Sequence, residues 1–430
     1  MRKNLKLNGV LFAISIFLLF GCAKNDDNET ITSSSPNILF ILADDIGKDA
    51  MSGFPEGSVK PNTPNLNNIK NSGITFNNNW VYPVCSPTRA CIITGKYGFR
   101  TGIEWVYEDL SISETILHKY IKQETNDAYA TALVGKWHLG TENPKDWGMD
   151  YYTGPSGGGV FNYYNWELRN DDGSYTFQTD YITEKETDLA IDWVNDQTKP
   201  WFLYLSYTAA HSPFHVPPAE MHSQGDLPDY ADGMDPLPYF MACIEAMDYQ
   251  IGRFLESMPE NERENTVIIF VGDNGTESAV AQLPYTPSTV KGSLYQGGVN
   301  TPLFISGPGV TRIGEIDNSL ITGTDLFATI ADIAGVSVTE INDSKSFTSL
   351  FSTTSSPRDY QYAEVKNDNK DLWAISNGHY KLIVNADGSE EMFDLTIDPY
   401  ESNDLLNETL NDSQLEAKTA LENELTQIRD

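Results

Sequence analysis

Asn37-Ile-Leu-Phe-Ile-Leu-Ala43 runs directly into Asp44-Asp45. An unbroken apolar run of this length suits a strand buried on both faces, as in a parallel sheet; a half-exposed strand would alternate apolar with polar. The arrangement recurs three times. Ala130-Thr-Ala-Leu-Val134 leads to Gly135-Lys136-Trp137-His138-Leu139-Gly140, and Trp201-Phe-Leu-Tyr-Leu-Ser-Tyr207 leads to His211-Ser-Pro-Phe-His215. Thr266-Val-Ile-Ile-Phe-Val271 ends in Gly272-Asp273-Asn274-Gly275. Helical patterns lie between these runs. Thr183-Glu-Lys-Glu186 reads as a capping box ahead of Leu189, Ala190, Trp193 and Val194, and Leu237–Leu255 carries Phe240, Ile244, Met247 and Ile251 at helical spacing. Strand and helix alternating in this way predict an α/β fold with a large, mostly parallel central sheet sandwiched by helices.

In such sheets ligands bind outside the carboxyl ends of the strands. The four runs deliver Asp44, Asp45, Lys136, His138, His211, Asp273 and Asn274 to that edge. Any single one is explained as a polar residue where a loop begins. Carboxylates, a lysine and histidines at four strand ends together predict one shared site.

The 430 residues suffice for one large or two unequal domains. Acidic side chains outnumber basic ones 61 to 28, a formal net charge of −33, which argues against nucleic acid or an anionic membrane surface as a general partner. Arg2, Lys3 and Lys6 precede the apolar run Val10–Phe20, which closes on Gly21-Cys22. A basic start, a short apolar core and a small residue before the cut predict an export leader over residues 1–21, too short to span a bilayer well. Cys22 resembles the lipidated cysteine of a bacterial lipobox. The expectation is an exported lipoprotein, anchored to the outer membrane through its N-terminal lipid alone and facing the periplasm or the cell exterior. Residues 22–35 read as a polar tether.

With Cys22 set aside, Cys85, Cys91 and Cys243 remain, too few for a disulfide framework, and no CxxC or Cys/His cluster suggests zinc. Cys91 and Cys243 sit in apolar surroundings and read as buried small hydrophobes. Cys85 differs, lying among turn formers in Val81-Tyr-Pro-Val-Cys85-Ser-Pro-Thr-Arg89, where Pro83 and Pro87 restrict the chain. These residues alone leave its use open between disulfide half, metal ligand and thiol nucleophile.

Past Val336 the pattern changes. Ser344–Pro357, rich in Ser and Thr, reads as a loop or linker. Leu372-Trp-Ala-Ile-Ser376 and Tyr380-Lys-Leu-Ile-Val384 flank the turn pair Asn377-Gly378, and Ser413–Arg429 reads as a helix with Ala417, Leu421, Leu425 and Ile428 on one face. The division expected is a catalytic α/β domain over 36–343 and a subdomain over 344–430, made of a small antiparallel sheet and a terminal helix.

Asp44, Asp45, Asp273 and the Asn274 amide offer only oxygen, which suits a hard divalent cation such as calcium or magnesium. Lys136, His138, His211 and Arg89 place positive charge beside it, joined by Lys291 from Lys291-Gly-Ser-Leu-Tyr-Gln-Gly-Gly298. A chain this acidic concentrates few cations elsewhere, so the cluster predicts a tetrahedral oxyanion ester, phosphate or sulfate, as substrate. Arg89 follows Cys85 by one helical turn.

Cys85-Ser-Pro-Thr-Arg89-Ala90 with Thr94-Gly95 resembles the signature of the type I, formylglycine-dependent sulfatases of the alkaline-phosphatase superfamily. Pro36–Asp45 looks like that family's opening strand and Gly135–Gly140 its second signature. Gly272–Gly275, Lys291-Gly292…Gly297-Gly298 and Met392-Phe-Asp-Leu…Asp398-Pro399 follow in the family's order. The likeness spans Pro36 to Leu405. It implies an alkaline-phosphatase-like fold and a sulfuric ester hydrolase acting on a sulfated carbohydrate such as a polysaccharide-derived oligosaccharide. It also implies that a formylglycine-generating enzyme reads Cys-x-Pro-x-Arg in the extended chain and oxidises Cys85 to Cα-formylglycine (3-oxoalanine). The hydrated aldehyde is then the implied nucleophile and, with Asp44, Asp45, Asp273 and Asn274, a ligand of one Ca2+ ion. Arg89 and Lys136 are implied to stabilise the ionised hydrate, with Asp273 as acceptor of its proton. His138 is implied to take the proton whose loss frees sulfate, and His211 and Lys291 to hold the sulfate and help protonate the departing alcohol. The competing readings are a phosphoester or phosphonate monoester hydrolase of the same superfamily, and a non-catalytic surface glycan-binding lipoprotein. Gly154–Tyr181, centred on Tyr163-Tyr164-Asn165-Trp166, offers aromatic faces either to sugar rings or to packing. His215 has the same two uses.

Overall fold

The computed structural model describes Ser35–Asp430, so the expected leader, Cys22 and nearly all of the tether lie outside the described residues. The first apolar run forms strand β1 (Asn37–Ala43), every residue of which is buried. It is joined by β2 (Gly73–Trp80), β3 (Ala130–Gly135), β4 (Tyr151–Pro155), β5 (Trp166–Arg169), β6 (Tyr175–Gln178), β7 (Trp201–Ser206), β8 (Thr266–Gly272), β9 (Leu303–Ser306) and β10 (Ile316–Thr322). These make one ten-stranded sheet in the order β10-β2-β9-β8-β1-β7-β3-β4-β5-β6.

The four runs singled out by sequence, β8, β1, β7 and β3, are contiguous and mutually parallel, so their carboxyl ends lie side by side. The sheet as a whole is mixed. Strand β9 runs antiparallel between β2 and β8, and β5 and β6 extend the far edge as an antiparallel meander. Parallel strands buried on both faces need crossovers that cover those faces, and both are covered. Ile38, Phe40 and Leu42 point into one core with Ile92, Leu117, Ile121 and Phe327 of the helices Cys85–Thr94, Leu117–Glu124 and Asp325–Ile333. Leu39, Ile41 and Ala43 point into the other, with Leu66, Trp193, Phe240 and Ile251 of Pro64–Asn71, Ile182–Asn195 and Leu237–Ser257. Each such buried aliphatic or aromatic side chain contributes about 1.5–3 kcal/mol over its exposed state.

Two local expectations fail. Thr183 caps nothing: the helix begins at Ile182 behind Tyr181 with no side-chain cap, and Glu186 turns inward to Thr208. Ser344–Pro357 is not a linker. A short ribbon of β11 (Glu340–Ile341) and β12 (Ser344–Lys345) precedes a 3-10 turn, and Phe347 and Leu350 are fully buried in the first core. With Phe351 in the same core, three apolar side chains outweigh the Ser/Thr composition around them.

The C-terminal sheet is antiparallel, in the order β13 (Gln361–Asn367), β14 (Lys370–Ser376), β15 (Tyr380–Asn385) and β16 (Glu390–Asp394). Alternation divides its faces. Ala363, Val365, Ala374, Ile383 and Phe393 pack on Trp80, Leu294 and Val299 of the large layer. Tyr362, Ile375, Leu382 and Met392 meet Leu421 and Leu425 of the helix Asp412–Arg429, which an Asn411/Gln414 capping box starts. Cys91 and Cys243 are buried and free, as read from sequence. Among the described residues no helix is long and apolar enough to cross a membrane.

Candidate active site

The helix Cys85–Thr94 starts at Cys85, after Val84 in extended conformation, and stops at Gly95, whose φ of 66° is the left-handed geometry glycine adopts without strain. All ten of its residues are buried. The i,i+4 relation puts Cys85 and Arg89 on one face, and the helix N-terminus favours negative charge at position 85.

Arg89 is the hub. Its Nη1 donates to the Lys136 carbonyl at 3.0 Å and to Ser206 Oγ at 2.6 Å, and its Nη2 donates to Asp273 Oδ2 at 2.8 Å. Asp44, fully buried at the end of β1, receives Lys136 Nζ at 2.5 Å and has Cys85 Sγ 3.5 Å from its other oxygen. Asp45 follows with φ 61°, a turn that an aspartate tolerates better than most residues. Its carboxylate receives Lys291 Nζ at 2.5 Å and Asn274 Nδ2 at 2.7 Å, with His211 Nε2 at 3.8 Å. Its amide donates to Asp273 Oδ1 at 3.0 Å. Three buried carboxylates thus face Arg89, Lys136 and Lys291, with Arg89 also 3.6 Å from Asp44.

His138 stands at the end of β3 with φ 57°, and both of its ring nitrogens are buried without a partner. Left-handed backbone at two site residues, Asp45 and His138, is strain held in place by the surrounding fold. Burial, reinforced by Lys136 and Arg89, pushes the His138 pKa down to about 2, so the ring is neutral and holds a free lone pair. Burial pushes the Cys85 thiol up to about 12 against the pull of Lys136 and Lys291, which removes the thiolate reading. Burial acts to raise Asp44, yet Lys136, His211, Arg89 and Lys291 hold it well below the usual carboxylate range. Asp273 goes the other way, raised to about 7 by burial and by Asp44.

Every site residue expected from sequence converges here, with one rearrangement. The ligand atoms of Asp44, Asp45, Cys85 and His211 lie within 4.8 Å of one another. Asp273 stands behind them, its oxygens turned to Arg89 and the Asp45 amide. Asn274 Oδ1 is buried with no hydrogen-bond partner and adds an unused oxygen beside Asp45. Carboxylate oxygens plus an orphaned amide oxygen fit a hard divalent cation. His215 does not reach this centre: it stacks on Tyr163 at 3.8 Å and lies 3.6 Å from Cys243 Sγ, so it packs.

Sequence reading missed three supporting residues. Ser206 ties Arg89 to the Lys136 carbonyl, donating to the latter at 2.8 Å. Glu186 accepts from Thr208 Oγ1 at 2.7 Å, and Tyr163 donates to the Thr208 and His211 carbonyls at 3.0 and 2.6 Å, fixing the loop that carries His211. Ser206 sits within the quoted β7 run and was visible there; Glu186 and Tyr163 had no local signal.

Cations and candidate metal ligands gathered at the carboxyl ends of a parallel α/β core define a class of fold that binds charged ligands at its strand ends. Within that class the Sulfatase family profile matches residues 36–336, and the profile described as N-sulphoglucosamine sulphohydrolase, C-terminal matches 290–430. The chain belongs to the sulfatase family. It is 27% identical over 370 residues to the uncharacterized sulfatase YdeN of Escherichia coli, covering 72% of this chain and 64% of that one. The chain spans less than two thirds of the length of the curated relatives it matches first. Among solved structures, Ps i-CgsB in complex with k-i-k-neocarrahexaose has a TM-score of 0.79 at 24% identity and 92% coverage of both chains. BT4656 in complex with its substrate D-glucosamine-2-N,6-O-disulfate has a TM-score of 0.78 at 21% identity, covering 92% of this chain and 99% of that one.

Proposed function

We propose that the protein hydrolyses sulfate esters of a carbohydrate, with Cys85 converted to Cα-formylglycine and one calcium ion held at the strand ends. One observation carries this reading: two buried cations, a third that is half-buried, and three buried carboxylates close around the side chain of residue 85, at the head of its helix. Calcium fits Asp44, Asp45, Asn274 and residue 85, with Asp273 behind, and supplies positive charge that neutralises the ester's anionic oxygens. Conversion of Cys85 replaces a thiol that stays protonated by a hydrated aldehyde, whose two hydroxyls supply a nucleophile and a route to release sulfate afterwards.

The chain's own groups divide the remaining work. Lys136 and Arg89 hold negative charge at position 85. His138, with both ring nitrogens buried and unpartnered, is the group assigned the proton on that side, negative charge developing at position 85 offsetting the cations that disfavour its uptake. Lys291 and His211 stand on the Asp45 side, where they bind sulfate oxygens and pass a proton to the departing alcohol. The carbohydrate part of the proposal draws on BT4656 and i-CgsB, both solved with sugars.

The test pairs sulfate with phosphate esters of the same alcohols, before and after calcium chelation, and measures the mass of the Cys85 peptide. Expected are preference for sulfate, loss of turnover on chelation, a peptide lighter than the cysteine form, and no turnover in Cys85→Ala. A strong phosphate preference, or full activity in Cys85→Ala, refutes the proposal.

A further inference from the structure

The aromatic-rich segment of β4–β6 divides in an unexpected way. Tyr163 and Trp166, at the centre of the sequence pattern, and Tyr181, at its end, are buried at 1–4% exposure and form a core of their own. Phe161 is instead fully exposed, at 102%. The chain around it is tied to the site at both ends. At one end Gly158 lies so close to His138 that a Cβ there would fall 1.9 Å from the ring's Cδ2, so only glycine fits. At the other end Tyr163 Oη holds the His211 carbonyl at 2.6 Å. Phe161 therefore projects into solvent from a bridge between the two active-site histidines.

A second exposed ring reaches the same place from another loop. Tyr107 is 84% exposed, has φ 65°, and meets the His138 ring edge-on with centroids 5.5 Å apart. A tyrosine is an uncommon occupant of left-handed backbone, and such strain is retained where surroundings or function require it. Scattered single exposed aromatics need no explanation. Tyr107 lies against the His138 ring, and Phe161 stands three residues beyond the glycine that abuts the same ring; on separate loops beside an anion site, the two form a rim.

We propose that Tyr107 and Phe161 form a sugar-binding rim of the active site, taking the apolar face of the ring that carries the sulfate ester or of its neighbour. The inference rests on the carbohydrate sulfatase reading and assigns it recognition residues. On that reading Lys291 and His211 hold the anion, and the uncharged remainder of the substrate is gripped by burial of aromatic surface. Affinity for the sugar and affinity for the sulfate then reside in different residues.

The experiment compares kcat/KM on the best-cleaved member of a panel of defined sulfated oligosaccharides with kcat/KM on propyl sulfate, an acyclic ester with the same kind of alkoxide leaving group. In Phe161→Ala and Tyr107→Ala the ratio of the two falls about five- to tenfold, the size of one aromatic contact. Phe177→Ala, which removes a 67%-exposed ring on β6, leaves the ratio unchanged. Ratios within twofold of wild type in both rim variants overturn the rim while leaving the hydrolase standing. Saturation-transfer NMR with the same oligosaccharides separates the two failures. If wild type cleaves no sulfate ester yet binds sugar, and Phe161→Ala weakens that binding, the rim stands and the hydrolase falls. If wild type binds none of the panel, the rim is overturned.

Discussion

Replacing Glu186 by glutamine should leave stability at pH 5 nearly unchanged and raise it at pH 9. Glu186 is 1% exposed, and its partners are the Thr208 hydroxyl at 2.7 Å and the Thr208 amide at 3.3 Å, neither of which carries charge. Burial pushes its pKa from the ordinary 4.5 up to about 8, with the Thr208 hydrogen bonds working against the rise. A folded state that keeps its proton to about 8, against an unfolded chain that releases it near 4.5, binds more protons throughout that window. Stability therefore falls as pH rises. The contribution is complete below 4.5 and gone above 8. At roughly 1.4 kcal/mol per pH unit, the loss across the window is about 5 kcal/mol. Glutamine presents the same shape, accepts from the Thr208 hydroxyl, and has no proton to lose. Urea unfolding of wild type and Glu186→Gln at pH 5, 7 and 9 tests this. The variant should overtake wild type by several kcal/mol at pH 9. A difference between the two proteins that stays constant from pH 5 to pH 9 would show that Glu186 ionises normally and refute the argument.

Lys136→Met removes the buried partner of Asp44 and should cost about 3–5 kcal/mol of stability by urea unfolding. Its kcat on the best sulfate ester should fall roughly 10²–10³-fold, and retention of both within twofold would contradict the charge pairing described. Phe347→Ala should lower stability by about 3–5 kcal/mol, because its ring is fully buried 5.2 Å from Phe76; a change under 1 kcal/mol would restore the linker reading of Ser344–Pro357.

The four central strands and their polar ends were legible because parallel strands buried on both faces cannot disguise themselves: Asn37–Ala43 and Thr266–Val271 have no exposed side to vary. Strand order was not legible, since nothing local in β7 announces that it lies between β1 and β3. Strands β13 and β16 escaped notice because Glu364, Glu390 and Glu391 break their apolar pattern. Glu364 is tolerated in the interior through Arg429 and the Phe99 amide, both far away in sequence, and through Tyr362 on the same face of its own strand. The same long-range pairing hid Glu186, read as a helix cap because its true partner Thr208 is on another element. Site residues were found by type at the strand ends, whereas Phe161 and Tyr107 depend on loop paths that no spacing encodes. The fate of Cys85 came from likeness alone. The geometry shows a buried thiol 3.5 Å from Asp44, and burial pushes its pKa up.

The ionic links of the site join residues remote in the chain. Lys136 meets Asp44 across 92 positions, Arg89 meets Asp273 across 184, and Lys291 meets Asp45 across 246. Contacts of such separation form late in folding and dissolve together. A fragment ending before Lys291 lacks the cation that faces Asp45, and one ending before β8 lacks Asp273 and Asn274 as well. Reactivity is thereby withheld until the fold is closed, and the charged cluster serves the molecule as its clasp as well as its tool.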